Sequence, residues 1–264
     1  MLRLSLFVVW VALGGAVQAQ GAHLQRLDIR DNAQAWQAVG RLELGGRGFC
    51  TGTLVARDLV VTAAHCLYDR ETGARLDPGR IAFRAGLRDG RAMADRGVRR
   101  AVAHPDYAYH AGAAARRVRH DVALLELERP VEAPRLRLFA TGEPPGMGEP
   151  IGLISYARGR AEAPSLQNAC SVLARQDGML VLSCDVDFGS SGAPVFSFAG
   201  ARPRIVSVIS AMAEVEGRKV SLGTPLADAL PVLRAALSDG LGVVSAGTRT
   251  SGMLRDSVGH FARP

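Results

Sequence analysis

Residues 49–66 read FCTGTLVARDLVVTAAHC, and the rest of the fold is read outward from them. Residues 49–55 and 59–62 are rich in aliphatic and β-branched side chains and are separated by Ala56-Arg57-Asp58, the pattern of a β-hairpin. The second run ends in Thr62-Ala63-Ala64-His65-Cys66, so a histidine emerges at the end of an apolar strand, next to a cysteine. Upstream, residues 38–44 alternate into Gly45-Gly46-Arg47-Gly48, a turn signal; downstream, residues 98–103 and 122–127 continue the strand pattern. Residues 128–150 hold Pro130, Pro134, Pro144, Pro145 and Pro150 and read as an extended connector. The same style then repeats over residues 151–156, 169–174, 179–183, 193–198 and 205–211. Two groups of short strands joined by a proline-rich linker point to an all-β chain built as two small antiparallel barrels. Near the end, Thr224-Pro225 reads as the start of a helix through Leu230, Leu233 and Leu237 to Gly240, with Pro231 as the alternative first-turn residue. Residues 245–264 are polar and aperiodic, a loose tail.

Composition agrees. The 264 residues are 48% hydrophobic and 22% charged, too apolar for a disordered chain, and 30 glycines with 5% aromatics suit many tight turns. The formal charge is +7, carried almost wholly by arginine, Lys219 being the lone lysine. The arginines are scattered and are not interleaved with stacking aromatics, so no specific nucleic-acid partner is expected. The densest run, Arg116-Arg117-Val118-Arg119, reads as a solvated loop.

Residues 1–19 have the form of a cleavable secretory signal: Arg3, an apolar stretch over 4–13, and Val17-Gln18-Ala19 before the cut. The apolar run is too short to span a membrane. A secreted or periplasmic protein, with no membrane attachment after cleavage, is the expectation. Four cysteines agree with export, since disulfides persist in oxidising compartments. They fall in two local pairs, Cys50 with Cys66 and Cys170 with Cys184, although four cysteines admit three connectivities and sequence alone does not choose. No cysteine or histidine spacing suits zinc, and neither a metal nor another cofactor is expected.

Three segments carry chemistry: Val61-Thr62-Ala63-Ala64-His65-Cys66, His120-Asp121-Val122-Ala123-Leu124-Leu125, and Gly189-Ser190-Ser191-Gly192-Ala193-Pro194. A serine hydroxyl, an imidazole and a carboxylate together make an acyl-transfer apparatus. The His, Asp, Ser order and all three contexts resemble the trypsin/chymotrypsin-like serine proteases, in style closest to the bacterial branch that includes glutamyl endopeptidases. TAAHC with a cysteine sixteen residues earlier is highly specific, and Ala103-His104-Pro105-Asp106-Tyr107 also matches the family's pattern. The resemblance implies two six-stranded antiparallel barrels with the site in the cleft between them and a C-terminal helix. With the signal over 1–19 read from its own residues, the chain divides into an N-terminal segment or short propeptide over 20–35, a first barrel over 36–128, a linker over 129–150, a second barrel with the helix over 151–240, and a tail over 241–264. The resemblance further implies Ser191 as nucleophile, His65 as general base and acid, Asp121 as orienting carboxylate, and the N–H groups of Gly189 and Ser191 as the oxyanion hole. The disulfides are expected as Cys50–Cys66 and Cys170–Cys184, and the partner as a protein or peptide substrate met by a monomer.

Departures from the family matter too. The residue before the nucleophile is Ser190 rather than aspartate, and no Ile-Val-Gly-Gly stands near the mature start, so no buried N-terminal ion pair is expected to switch the protein on. Asp185, six residues before Ser191, is the candidate selector of basic residues, with Val186, Ser210 and Met212 as further pocket candidates. Specificity leans slightly to basic residues. The competing reading is a catalytically silent protease-fold protein kept for binding, its cleft blocked by Phe188 or Met212. The other histidines, His104 and His120 among them, read as surface or structural.

Overall fold

The computed structural model describes residues 24–27, 34–110 and 114–247; the expected signal over 1–19 and the end of the tail lie outside them. After a two-residue strand β1 (Gln25–Arg26), the first barrel is built from β2 (Val39–Leu44), β3 (Phe49–Ala56), β4 (Leu59–Thr62), β5 (Ile81–Ala85), β6 (Ala94–Ala103) and β7 (Ala123–Leu127). These pair antiparallel in the order β6-β5-β2-β3-β4-β7, and β6 pairs with β7 to close the ring. Closure removes both sheet edges, and alternate side chains fill the inside. In β5, for example, Ile81, Phe83 and Ala85 are buried while Ala82 and Arg84 are only half-buried.

A 3-10 helix at Pro78–Arg80 leads into β5, and a short helix, α1 (Ala114–Arg119), leads towards β7. The second barrel follows a largely strand-free connector. Its strands are β8 (Pro150–Ala157), β9 (Arg160–Gln176), β10 (Met179–Leu182), β11 (Pro194–Ser197), β12 (Arg204–Val215) and β13 (Arg218–Pro225), in the order β9-β10-β13-β12-β11-β8 with β8 pairing back to β9. The chain is therefore two closed six-stranded antiparallel barrels, as expected, followed by α2 (Ala229–Asp239).

Three local expectations fail. Residues 116–119 lie in α1 rather than a loop, anchored by Val118, which is 4% exposed. Thr224-Pro225 does not open a helix: Pro225 pairs with Ser207 in the sheet, and Thr224 donates its hydroxyl to the Val118 carbonyl. Sheet pairing overrides the capping signal, and the helix begins beyond Asp228 with Pro231 in its first turn. The tail is not wholly loose, because β14 (Val244–Ser245) pairs with β6 at Ala101 and Arg100. Strands β5 and β13 escaped sequence reading. Each bears arginine, Arg84 in β5 and Arg218 in β13, and their apolar positions gain partners in the closed ring.

The barrels share a core. Val61, Val102 and Leu124 from the first meet Ile154, Tyr156, Phe196 and Val208 from the second, with Leu230, Leu233 and Leu237 of α2 in the same cluster. Trp36 and Phe139 stack on each other and close one end of it, each meeting Phe196 edge-on at 5.1 and 4.8 Å between ring centres.

Candidate active site

Strand β4 ends at Thr62, and the chain turns at once into a 3-10 helix, Ala64–Leu67, that presents His65. The Cys50–Cys66 disulfide ties this turn to β3. Asp121 comes from just before the neighbouring strand β7, whose Ala123 pairs with Thr62, and is only 3% exposed. Its two carboxylate oxygens are divided between separate tasks. Oδ1 accepts the His65 backbone N–H at 2.8 Å, and Oδ2 lies 2.7 Å from His65 Nδ1. Ser210, 7% exposed on β12, donates its hydroxyl to the same Oδ2 at 2.5 Å. A buried carboxylate so satisfied fixes both the position and the tautomer of the imidazole, with Nδ1 protonated towards Asp121 and Nε2 left as the base.

Ser191 lies in the loop between β10 and β11, and this loop is sewn to the first barrel. The Ser191 carbonyl accepts the Thr51 N–H at 2.9 Å, and the Thr51 hydroxyl donates to the Gly189 carbonyl at 2.9 Å. Gly192, at φ +76°, is wedged against Thr62 and Ala63, two residues before His65; a Cβ there would meet Thr62 Oγ1 at 2.1 Å. Gly189, at φ +99°, packs under Phe49, whose ring a Cβ would meet at 2.2 Å. Within the loop, the N–H groups of Ser190, Gly192 and Ala193 donate to backbone carbonyls, and that of Phe188 to the Asp187 side chain. Among the described residues, those of Gly189 and Ser191 have no acceptor. Two unpaired amides, that of Ser191 itself and that of Gly189 two residues earlier, are donors of the kind an oxyanion takes. Ser190 is buried and its hydroxyl accepts the Asp187 N–H at 3.4 Å, so the loop closes on itself without a charge at that position.

Beside this loop lies a cavity of about 800 Å³. Asp185, Val186 and Met212 line it; Ser210 does not. Asp185 is exposed and is fixed through its backbone, whose N–H donates to Gln167 Oε1 at 2.9 Å. Sequence reading missed Arg160, which also lines the cavity. Its guanidinium donates to the Ser155 carbonyl at 2.7 Å and hydroxyl at 3.0 Å. Burial lowers its pKa, while Asp185 and Asp187 pull it back up. No local motif marks an arginine opening a long strand, so only the fold reveals it. Phe188 and Met212 are 41% and 48% exposed; Met212 lines this cavity, and Phe188 lines a neighbouring pocket together with His65 and Gly189. Both disulfides form with the local pairing, Cys170–Cys184 bracing the start of the Ser191 loop.

A family model for the trypsin-like peptidase domain matches residues 50–202. A curated relative, serine protease 23 of Bos taurus, is 29% identical over 163 residues, which is 56% of this chain and 43% of the bovine protein; the chain thus spans less than half that relative's length. Among solved structures, a Glu endopeptidase in complex with MPD superposes with a TM-score of 0.67 at 17% identity, covering 81% of this chain and 96% of that one, a likeness of fold. The family match runs over more than half the sequence, from the cysteine of β3 into the second barrel and past its serine loop, and by it the chain belongs to the trypsin-like peptidase family.

Proposed function

We propose that this chain is a secreted serine endopeptidase that cleaves peptide bonds through an acyl-enzyme. Ser191 attacks the scissile carbonyl, and His65 takes the hydroxyl proton and returns it to the leaving amine. Asp121 holds the ring and balances its charge in between. The N–H groups of Gly189 and Ser191 receive the developing oxyanion. The observation that carries this reading is the pair of unsatisfied amides of Gly189 and Ser191, set against an Asp121–His65 contact of 2.7 Å. Such donors raise the rate only when a charge forms between them, and a binding-only protein has no use for them. Two disulfides and the apolar leader support export. The family's chemistry supports a protein or peptide as the substrate. Among the described residues no helix is long and apolar enough to cross a membrane.

For specificity, the carboxylates of Asp185, Asp187 and Glu214 around the cavity support a lean to basic residues, and the cations Arg158, Arg160 and Lys219 on the same walls oppose it. Fluorophosphonate labelling of the secreted protein tests the chemistry: wild type labels, Ser191→Ala does not. An unlabelled wild type with both disulfides formed would favour the silent, binding-only reading. A peptide library on the labelled enzyme then decides the residue preference, with Asp185→Asn weakening it if it is basic.

A further inference from the structure

His104 and Asp106 stand in one turn after β6 and His120 follows α1, and the fold gathers the three next to Asp121. The two imidazoles stack with their centres 4.7 Å apart, and one ring nitrogen of each and an Asp106 carboxylate oxygen all lie within 4.8 Å of one another. His104 is 8% exposed and held by its backbone, donating to the Val122 carbonyl at 2.9 Å. Its Nδ1 accepts the Asp106 N–H at 3.3 Å. The Asp106 side chain is 72% exposed and free to turn. The cluster opens on a cavity of about 520 Å³, where Glu143 and Asp228 add carboxylates opposite Arg119.

We propose that His104, His120 and Asp106 form a binding site for one divalent transition-metal ion of the zinc type, and that filling it slows turnover through Asp121. Imidazole nitrogen and carboxylate oxygen are the ligand set such ions take, at about 2.0–2.2 Å. At that radius tetrahedral ligands stand about 3.4 Å apart, so closure needs only a turn of Asp106 and a small rotation of the rings. A fourth position faces the cavity for water.

The link to the active site is covalent and short. His120 is bonded directly to Asp121, and Val122 joins both histidines, accepting from the His104 N–H and donating its own N–H to the His120 carbonyl at 2.8 Å. Drawing the rings onto one ion shifts the segment that holds His65 by two contacts. Displacements of about 1 Å in such groups cost up to about a hundredfold in rate.

Calorimetric titration of the mature Ser191→Ala protein with zinc tests the site without turnover, so its result stands whether or not the peptidase reading holds. One equivalent binds, and adding His120→Gln or the exposed-site change Asp106→Asn weakens it at least about tenfold. Absence of binding, or binding untouched by both changes, overturns the site. The coupling rests on the peptidase reading and is measured in protein with Ser191 intact: saturating zinc lowers kcat at least about tenfold, and Asp106→Asn relieves it. Turnover indifferent to zinc, or equal inhibition in Asp106→Asn, overturns the coupling.

Discussion

Ser210 supplies only one hydrogen bond to the site, yet the acceptor is a carboxylate that is 3% exposed. Hydrogen bonds to charged groups carry about 1.5–3 kcal/mol, and about 1.4 kcal/mol is tenfold in rate. Ser210→Ala should therefore lower kcat by about tenfold with little change in KM, and Ser210→Thr, which keeps a hydroxyl, should recover part of it. Equal effects of alanine and threonine would show a packing role instead. Gly189→Ala should be harsher, losing about 10²–10³ in kcat, because the amide turns away when a Cβ meets Phe49. Residues such as His65 and Ser191 were legible because their surroundings are contiguous words, TAAHC and GSSGAP, each fixed by a tight local backbone. The His104–His120 contact was not, since it depends on strand β6 ending beside the residues that follow α1. Offset counting led to Asp185 but gave no sign of its facing Arg160, because the arginine's place is set by the β8–β9 hairpin.

At the level of elements, the two disulfides close loops of 16 and 14 residues, each worth about 3 kcal/mol by loop entropy. Cys50→Ser with Cys66→Ser should lower the melting point and loosen the turn carrying His65; an unchanged melting curve would show that the turn stands without the bond. Strands β6 and β7 carry a second fastening, Glu126, whose carboxylate binds Arg99 at 2.6 Å and Arg100 more closely still. The Arg100 hydrogen bond is the main cause of its lowered pKa. A carboxylate with a folded pKa below its unfolded one adds stability above the unfolded value, near about 4.3, and loses it as pH falls through the folded value. Glu126→Gln should flatten the loss of melting temperature below about pH 4.3 while leaving its slope near neutrality as it was. The central strands were legible because hydrophobic runs with turn residues at both ends suffice to place them. Strand β13 was not, as its outer residues Arg218 and Lys219 are exposed and its identity comes from pairing with β12.

Across the whole molecule, α2 follows the last strand of the second barrel but packs against β6 and β7 of the first. Leu233, fully buried in the shared core, is its central contact. Leu233→Ala should cost about 2–5 kcal/mol and lower both barrels together, seen as one cooperative unfolding transition; two separated transitions would show that the barrels melt independently. The opposite end is crossed in the same way. Strand β1 precedes the first barrel yet pairs with β9 of the second, and Leu27 donates its N–H to the Pro164 carbonyl at 3.1 Å. Each end of the described chain is thus lodged in the half it does not belong to by sequence. As the ribosome delivers the chain, β1 waits for β9, and the first barrel waits for α2 and β14 to cover β6. Neither half can finish early, so the order of synthesis imposes no order of completion, and an interrupted chain leaves two unfinished surfaces rather than one folded module.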